Sequence, residues 1–294
     1  MTARTSISVV VASFRDLEVL SACLHSLRDQ CQEHGAELLV VRSEREPSER
    51  LQQVAAGCRV IGAAATDAIP TLRGRGMAAA AGEWVAVTED HCVADHGWLA
   101  ALVAAGTPGA DVLGGAMGNA RRERRTDCGA FFSEYGFFGA VAPAAESAGP
   151  PLVTGANVAY HRRVVPDVAD WAQNGSWENV IHERLFAAGH PFRLVPNARV
   201  RQNLHYTLGA FAVDRFEHGR DFAATRSRNL SVWRRAIFAT ATPVLPLVLS
   251  RRIARAVDPA ERPFFARALP ATLAFLSAWA AGEATGYLFG HARS

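Results

Sequence analysis

The chain has 294 residues, of which 49% are apolar and 20% charged. That is enough apolar material for one large α/β domain, or a domain with a smaller appendage, and it excludes wholesale disorder. The net charge of +3 is lopsided: residues 1–200 hold 18 arginines against 22 acids (−4), and residues 201–294 hold 13 against 6 (+7). Every basic residue is an arginine, and the Ala and Arg load is that of a GC-rich bacterial genome. The basic tail lies beside apolar runs, which suits an anionic membrane surface, and no zinc-finger, RNA-recognition or other nucleic-acid pattern is present. The five cysteines are odd in number and form no C-x-x-C, so a disulfide framework is not expected and a cytoplasmic, reducing location is. The first eleven residues lack the apolar core and cleavage site of a signal peptide.

In chain order, residues 7–12 (ISVVVA) read as a strand buried on both faces. Leu17, Leu20, Cys23, Leu24 and Leu27 recur at helical spacing. A second strand is predicted at 38–41, a short helix at 51–56, a third strand at 59–61, an Ala-rich helix at 70–81 and a fourth strand at 84–88. A helix at 98–105 and a strand at 112–113 follow, then an aromatic helix around 131–138. Residues 153–161 read as strand, 178–188 as helix, 192–200 as a strand pair around Pro196, and 208–228 as helix. Strand–helix alternation over the first 115 residues predicts a mostly parallel sheet with right-handed crossovers, in which ligands bind at the carboxyl ends of the strands. Two apolar stretches close the chain. Residues 236–250 lie between arginine pairs and contain Pro243 and Pro246; residues 268–290 contain Pro270, Glu283 and Gly286. The first is shorter than the roughly 20 residues of a span, so spanning, in-plane association and a buried helical cap all stay open.

The sharpest chemical signal is Thr88-Glu89-Asp90-His91, three polar, metal-competent side chains directly after a buried strand. In extended backbone Glu89 and His91 share a face. A carboxylate with an imidazole suits Mn²⁺ or a similar divalent ion.

The surroundings of this motif carry a resemblance. Ser8 through Arg15 and the Leu20, Leu24 and Leu27 helix read as an opening strand, nucleotide loop and first helix. Arg73, Gly74 and Gly76 precede Gly82-Glu83-Trp84. Glu89-Asp90-His91 is trailed by Trp98-Leu99. Thr154-Gly155-Ala156-Asn157 and Trp177-Glu178-Asn179 come later in the same order. Over roughly residues 5–205 this series resembles the family 2 glycosyltransferases of the GT-A fold. The resemblance implies an α/β, Rossmann-like GT-A domain over 1–228; the composition of the rest predicts a helical, partly apolar region over 229–294, with membrane association one of its open readings.

The resemblance further implies inverting, divalent-metal-dependent (Mn²⁺ or Mg²⁺) transfer from a nucleoside diphosphate sugar to an acceptor hydroxyl; the basic, apolar tail adds the expectation of a carbohydrate or lipid-linked acceptor at the inner face of the cell membrane. Glu89, His91 and His205 would be the metal ligands. Glu178 would be the base, since Asn179 cannot serve, and His182 lies one turn on. Ala12, Ser13, Arg15, Arg73, Asp90, Gly155, Asn157 and Trp177 would line the nucleotide and substrate site. Glu89 and His91 stand where the family usually has aspartates, and Arg42 where it often has an acidic residue for uracil, which leaves GDP or dTDP sugars open. A catalytically silent nucleotide-sugar-binding protein is the alternative. A nucleotidyltransferase would need a Gly-rich, Lys-bearing loop that the chain lacks.

Overall fold

The computed structural model describes residues 6–44, 48–139, 151–227 and 230–290. The chain divides into two compact units: Met1–Ala120 with Ala140–Asn203, and Arg121–Gly139 with Leu204–Ser294. The division falls at 121, 140 and 204 rather than at 228.

The first unit holds an eight-stranded sheet. Its strands are β1 (Ile7–Ser13), β2 (Glu37–Arg42), β3 (Arg59–Gly62), β4 (Trp84–Glu89), β5 (Cys92–Ala94), β6 (Val112–Asn119), β7 (Asn157–His161) and β8 (Phe192–Gln202), in the order β3-β2-β1-β4-β7-β6-β8-β5. The first four neighbours run parallel, as the alternation predicts. Beyond β4 the sheet is mixed: β7 is antiparallel to both β4 and β6, β8 is parallel to β6, and β5 is antiparallel to β8. The physical reason is connectivity. Helical crossovers occupy only the first 105 residues, and β7 re-enters after a long excursion with no such constraint on direction.

The helices of this unit are α1 (Leu17–His34), α2 (Glu49–Val54), α3 (Ile69–Ala79) and α4 (Trp98–Ala105), then α6 (Val165–Gln173) and α7 (Glu178–Ala187); α5 (Arg125–Tyr135) belongs to the second unit. Leu20, Cys23, Leu24 and Leu27 are the buried stripe of α1. Leu72 and Met77 of α3, Val168 and Ala169 of α6, and Ile181 and Leu185 of α7 join Val10, Leu39, Val41, Val85 and Val87 of the central strands in one core. Three departures from expectation have local causes. β5 is only three residues long, too short for a periodic signal. α6 opens with Pro166 in its first turn, where no element is predicted. Residues 192–202 form one strand rather than a pair. Its register against β6 shifts between Gly115 and Ala116, opposite the stretch holding Pro196, which has no N–H to give to a ladder.

The second unit is helical: α5, α8 (Leu208–Ser227), α9 (Val232–Ala241), α10 (Leu245–Ala256) and α11 (Arg262–Phe289). α8 and α11 pack backbone to backbone. A Cβ on Gly282 would strike the Phe216 carbonyl oxygen, and one on Gly219 the Trp279 carbonyl oxygen. That seam ties α8 to the C-terminal helices. Phe211 packs between Tyr206 and Phe275, tilted against the first and edge-on to the second, with ring centroids 4.4 and 4.7 Å away. The five cysteines are all free thiols.

Candidate active site

The turn after β4 is built into the end of β1. Ala12 and Glu89 are register partners, and the Asp90 N–H donates to the Ala12 carbonyl (3.0 Å). Asp90 Oδ2 accepts the backbone N–H groups of Phe14 and Arg15 (2.7 Å each) and the Ser13 hydroxyl (3.1 Å). One carboxylate oxygen thus fixes the loop leaving β1. The other, Asp90 Oδ1, is buried without a hydrogen bond. Burial raises the Asp90 pKa above the usual carboxylate range, a rise that the Arg15 N–H, His91 and the Phe14 N–H only partly offset. Arg42, at the end of β2, donates to Ser13 Oγ (2.9 Å) and to the Arg15 carbonyl oxygen. Arg15 itself is exposed, its guanidinium 5.2 Å from the centre of the Phe14 ring.

Glu89 and His91 stand side by side, with Glu89 Oε2 3.3 Å from His91 Nδ1. Both side chains are buried. Glu89 Oε1 is taken by Arg73 of α3, whose guanidinium also donates to Glu178 Oε2 (2.9 Å) at the start of α7. Arg73 therefore bridges the β4 carboxylate and the α7 carboxylate. Burial opposes its charge, but Glu89 and Glu178 more than restore it and raise its pKa. Burial would raise Glu178, yet the Arg73 guanidinium holds it below the ordinary carboxylate range. The first turn of a helix also favours a carboxylate there. Gly155 makes room for this bridge, because a Cβ at that position would collide with the Arg73 guanidinium.

Arg73, Gly155, Tyr160, Glu178, Pro70 and Val87 line a narrow cleft. Tyr160 lines this cleft, and its hydroxyl is 2.8 Å from Nε2 of the buried His182. Burial drives the His182 pKa down to about 4 and raises that of Tyr160. Sequence reasoning did not single out Tyr160; a lone tyrosine at the fourth position of a five-residue strand looks like any core aromatic.

The other predicted residues fall as follows. Asn157 is buried and committed to the sheet: its amide donates to the carbonyls of Ala116 and Ala198 (2.8 Å each), and its Oδ1 accepts from Trp98 Nε1 (2.9 Å). Trp177 caps α7 and is 41% exposed. His205 belongs to the second unit, where its Nδ1 lies 2.8 Å from Asp127 Oδ2 while Asp127 Oδ1 accepts the Tyr206 N–H. Among the described residues no group of three or more His, Cys, Asp or Glu side chains is arranged to hold a metal ion.

A parallel α/β half-sheet that extends into a mixed one, with a polar turn after β4 docked on the loop after β1 and a late-helix carboxylate brought to the same place, is the layout of the GT-A glycosyltransferases. The sequence agrees: residues 8–167 match Glycosyl transferase family 2, more than half of the chain, and the protein belongs to that family. Transfer of a sugar is its activity. No curated protein matches the chain. Among solved structures it is similar to the mannosyltransferase PcManGT from Pyrobaculum calidifontis, determined in complex with GDP-mannose and Mn²⁺. That likeness has a TM-score of 0.51 at 14% identity, covering 98% of this chain and 75% of that one. It is also similar to S. aureus TarS 1-349, with a TM-score of 0.50 at 13% identity, covering 91% of this chain and 89% of that one. At such identities these likenesses concern the fold.

Proposed function

We propose that the protein moves a sugar from a nucleoside diphosphate sugar to an acceptor hydroxyl with inversion at the anomeric carbon. The observation that carries this reading is the Glu89–Arg73–Glu178 bridge, which joins the turn after β4 to the start of α7. In the reaction the acceptor oxygen bonds to the anomeric carbon as the bond to the diphosphate breaks. The hydroxyl proton passes to Glu178. Held low by Arg73, Glu178 carries its negative charge at neutral pH and stands ready as the base. Ala12, Ser13 and Arg15, at the carboxyl end of β1, border the nucleoside, as the topology of an open α/β sheet favours.

The turn after β4 offers two donors toward a divalent ion, with no third His, Cys, Asp or Glu side chain among the described residues arranged to complete a protein site. The buried Asp90 Oδ1 lacks a donor and lies 4.0 Å from His91 Nδ1, and Glu89 Oε2 faces the same imidazole. Glu89 and His91 would hold the ion, an oxygen and a nitrogen donor suited to Mn²⁺, with Mg²⁺ the harder alternative. When bound, it offsets the charge on the leaving diphosphate. The GDP-mannose and Mn²⁺ of the Pyrobaculum mannosyltransferase support this chemistry. Arg42 offers only donors at the end of β2, which disfavours the N3–H that uracil and thymine share and suits the O6 and N7 acceptors of guanine, so the donor it points to is a GDP sugar. The basic, apolar C-terminal helices support a carbohydrate or lipid-linked acceptor met at the cytosolic face of the cell membrane.

The test is Mn²⁺-supported hydrolysis and transfer with GDP, dTDP and UDP sugars, comparing wild type with Glu178→Gln. Turnover by the variant is expected to fall by about 10²–10⁴-fold with donor binding retained. Unchanged turnover removes Glu178 as the base, and a wild type that neither binds nor turns over any donor ends the reading.

A further inference from the structure

The outer face of α9 and α10 is apolar and uncovered. Trp233 is 81% exposed and Ile237, Val244 and Leu247 are each more than half exposed, with Val248 beside them. Successive spacings of four, seven and three residues set these side chains along one side of the segment. The opposite side is the buried one: Ala239, Thr242, Pro246, Ser250 and Ile253. Arg251 and Arg255 continue the exposed face one and two turns further, and Arg234 and Arg252 are exposed alongside it. From residue 222 to residue 257 the sequence has seven arginines and no acid.

By length and composition, Val232–Ala256 and Pro259–Phe289 are both apolar enough to cross a membrane. The first of them is poorly suited to do so. Pro243 and Pro246 interrupt it, one side packs on protein, and crossing would carry Arg251 and Arg252 into hydrocarbon. We propose that this segment instead lies in the plane of an anionic phospholipid surface. The Trp233–Val248 stripe enters the interface, and Arg234, Arg251, Arg252 and Arg255 meet the lipid phosphates. The charge selects the occupant. A second copy docked through the same patch would set arginine against arginine across a two-fold axis, whereas an anionic bilayer satisfies the apolar stripe and the guanidiniums together.

This inference goes beyond the donor chemistry proposed above and is tested apart from it. Purified full-length protein is sedimented with vesicles of phosphatidylcholine alone and of equimolar phosphatidylcholine and phosphatidylglycerol. Binding is expected only to the anionic vesicles, weakening as salt rises, with release by alkaline carbonate. Arg251→Gln and Arg255→Gln should each weaken binding about fivefold. Trp233→Phe should remove a lipid-induced blue shift of tryptophan fluorescence. Equal binding to both vesicle types overturns the proposal. So does carbonate-resistant insertion, and so does failure to bind vesicles together with concentration-dependent dimerisation. Because the mutated side chains are exposed, unchanged thermal unfolding verifies the fold, and the salt dependence of the wild type stands without any variant. Protein that binds anionic vesicles yet turns over no sugar donor would keep this inference and end the catalytic one.

Discussion

His182 should make the protein sensitive to mild acid, by an amount the structure sets. Its imidazole is 2% exposed, one turn into α7, with Nε2 2.8 Å from the Tyr160 hydroxyl. Burial depresses its pKa from 6.5 to about 4 in the folded protein. Between those values the unfolded chain binds a proton that the folded chain refuses. The contribution of neutral His182 to stability is therefore fully present above about pH 6.5 and is lost as pH falls toward 4. At about 1.4 kcal/mol per unit, the total is about 3 kcal/mol. His182→Gln keeps a polar partner for Tyr160 but cannot titrate. Urea unfolding at a series of pH values from 7 down to 4 is the assay. The variant should be the less stable protein at pH 7, by about 1–2 kcal/mol for an imperfect buried hydrogen bond. Its disadvantage should shrink with acidification and reverse near the bottom of the window. Parallel stability–pH curves for the two proteins would mean that folded His182 ionises like a free histidine, and the reasoning from burial would fail.

The remaining predictions concern the site and its supports. Glu89→Ala and His91→Ala should each abolish the Mn²⁺-dependent part of donor protection against thermal unfolding, measured with and without EDTA. Glu89→Ala should also lower stability by about 3 kcal/mol, because the buried Arg73 guanidinium loses its buried partner and keeps only the half-buried Glu178. Arg42→Asp should shift nucleotide preference toward UDP over GDP, read by calorimetry with the two diphosphates. Asp accepts from uracil N3–H, whereas Arg suits the two acceptors of a guanine edge. Gly282→Ala puts a methyl group on the Phe216 carbonyl, and a loss of about 1–3 kcal/mol or more in thermal unfolding is expected, with donor affinity unchanged.

What the sequence disclosed of this site follows from how far apart the interacting residues lie. β1, β2 and β4 are legible because each is a continuous apolar run buried on both faces, and Glu89-Asp90-His91 stands out because it ends such a run. Glu89 and His91 do stand side by side, but β4 ends at Glu89 and Asp90-His91 form the turn before β5, so it is the turn and not strand periodicity that places them. The bridge through Arg73 is not legible in the sequence, since it joins α3 to a carboxylate 105 residues later, and no local pattern encodes a partner at that range. Its only trace in the chain is Gly155, whose missing side chain is what the guanidinium requires. Asp90 shows the converse. The resemblance sets it among the residues lining the nucleotide site, yet one of its oxygens organises the β1 loop and only the other remains for a ligand. Arg42 reads in sequence as a missing acceptor for uracil. In the structure it also braces Ser13 and the Arg15 carbonyl, so one arginine supports the nucleotide loop while it disfavours one base. Substituting it should therefore disturb both loop order and base preference. The two effects separate by measuring GDP and UDP affinity in Arg42→Lys, which keeps the positive charge but loses the fork that reaches Ser13 and Arg15 together.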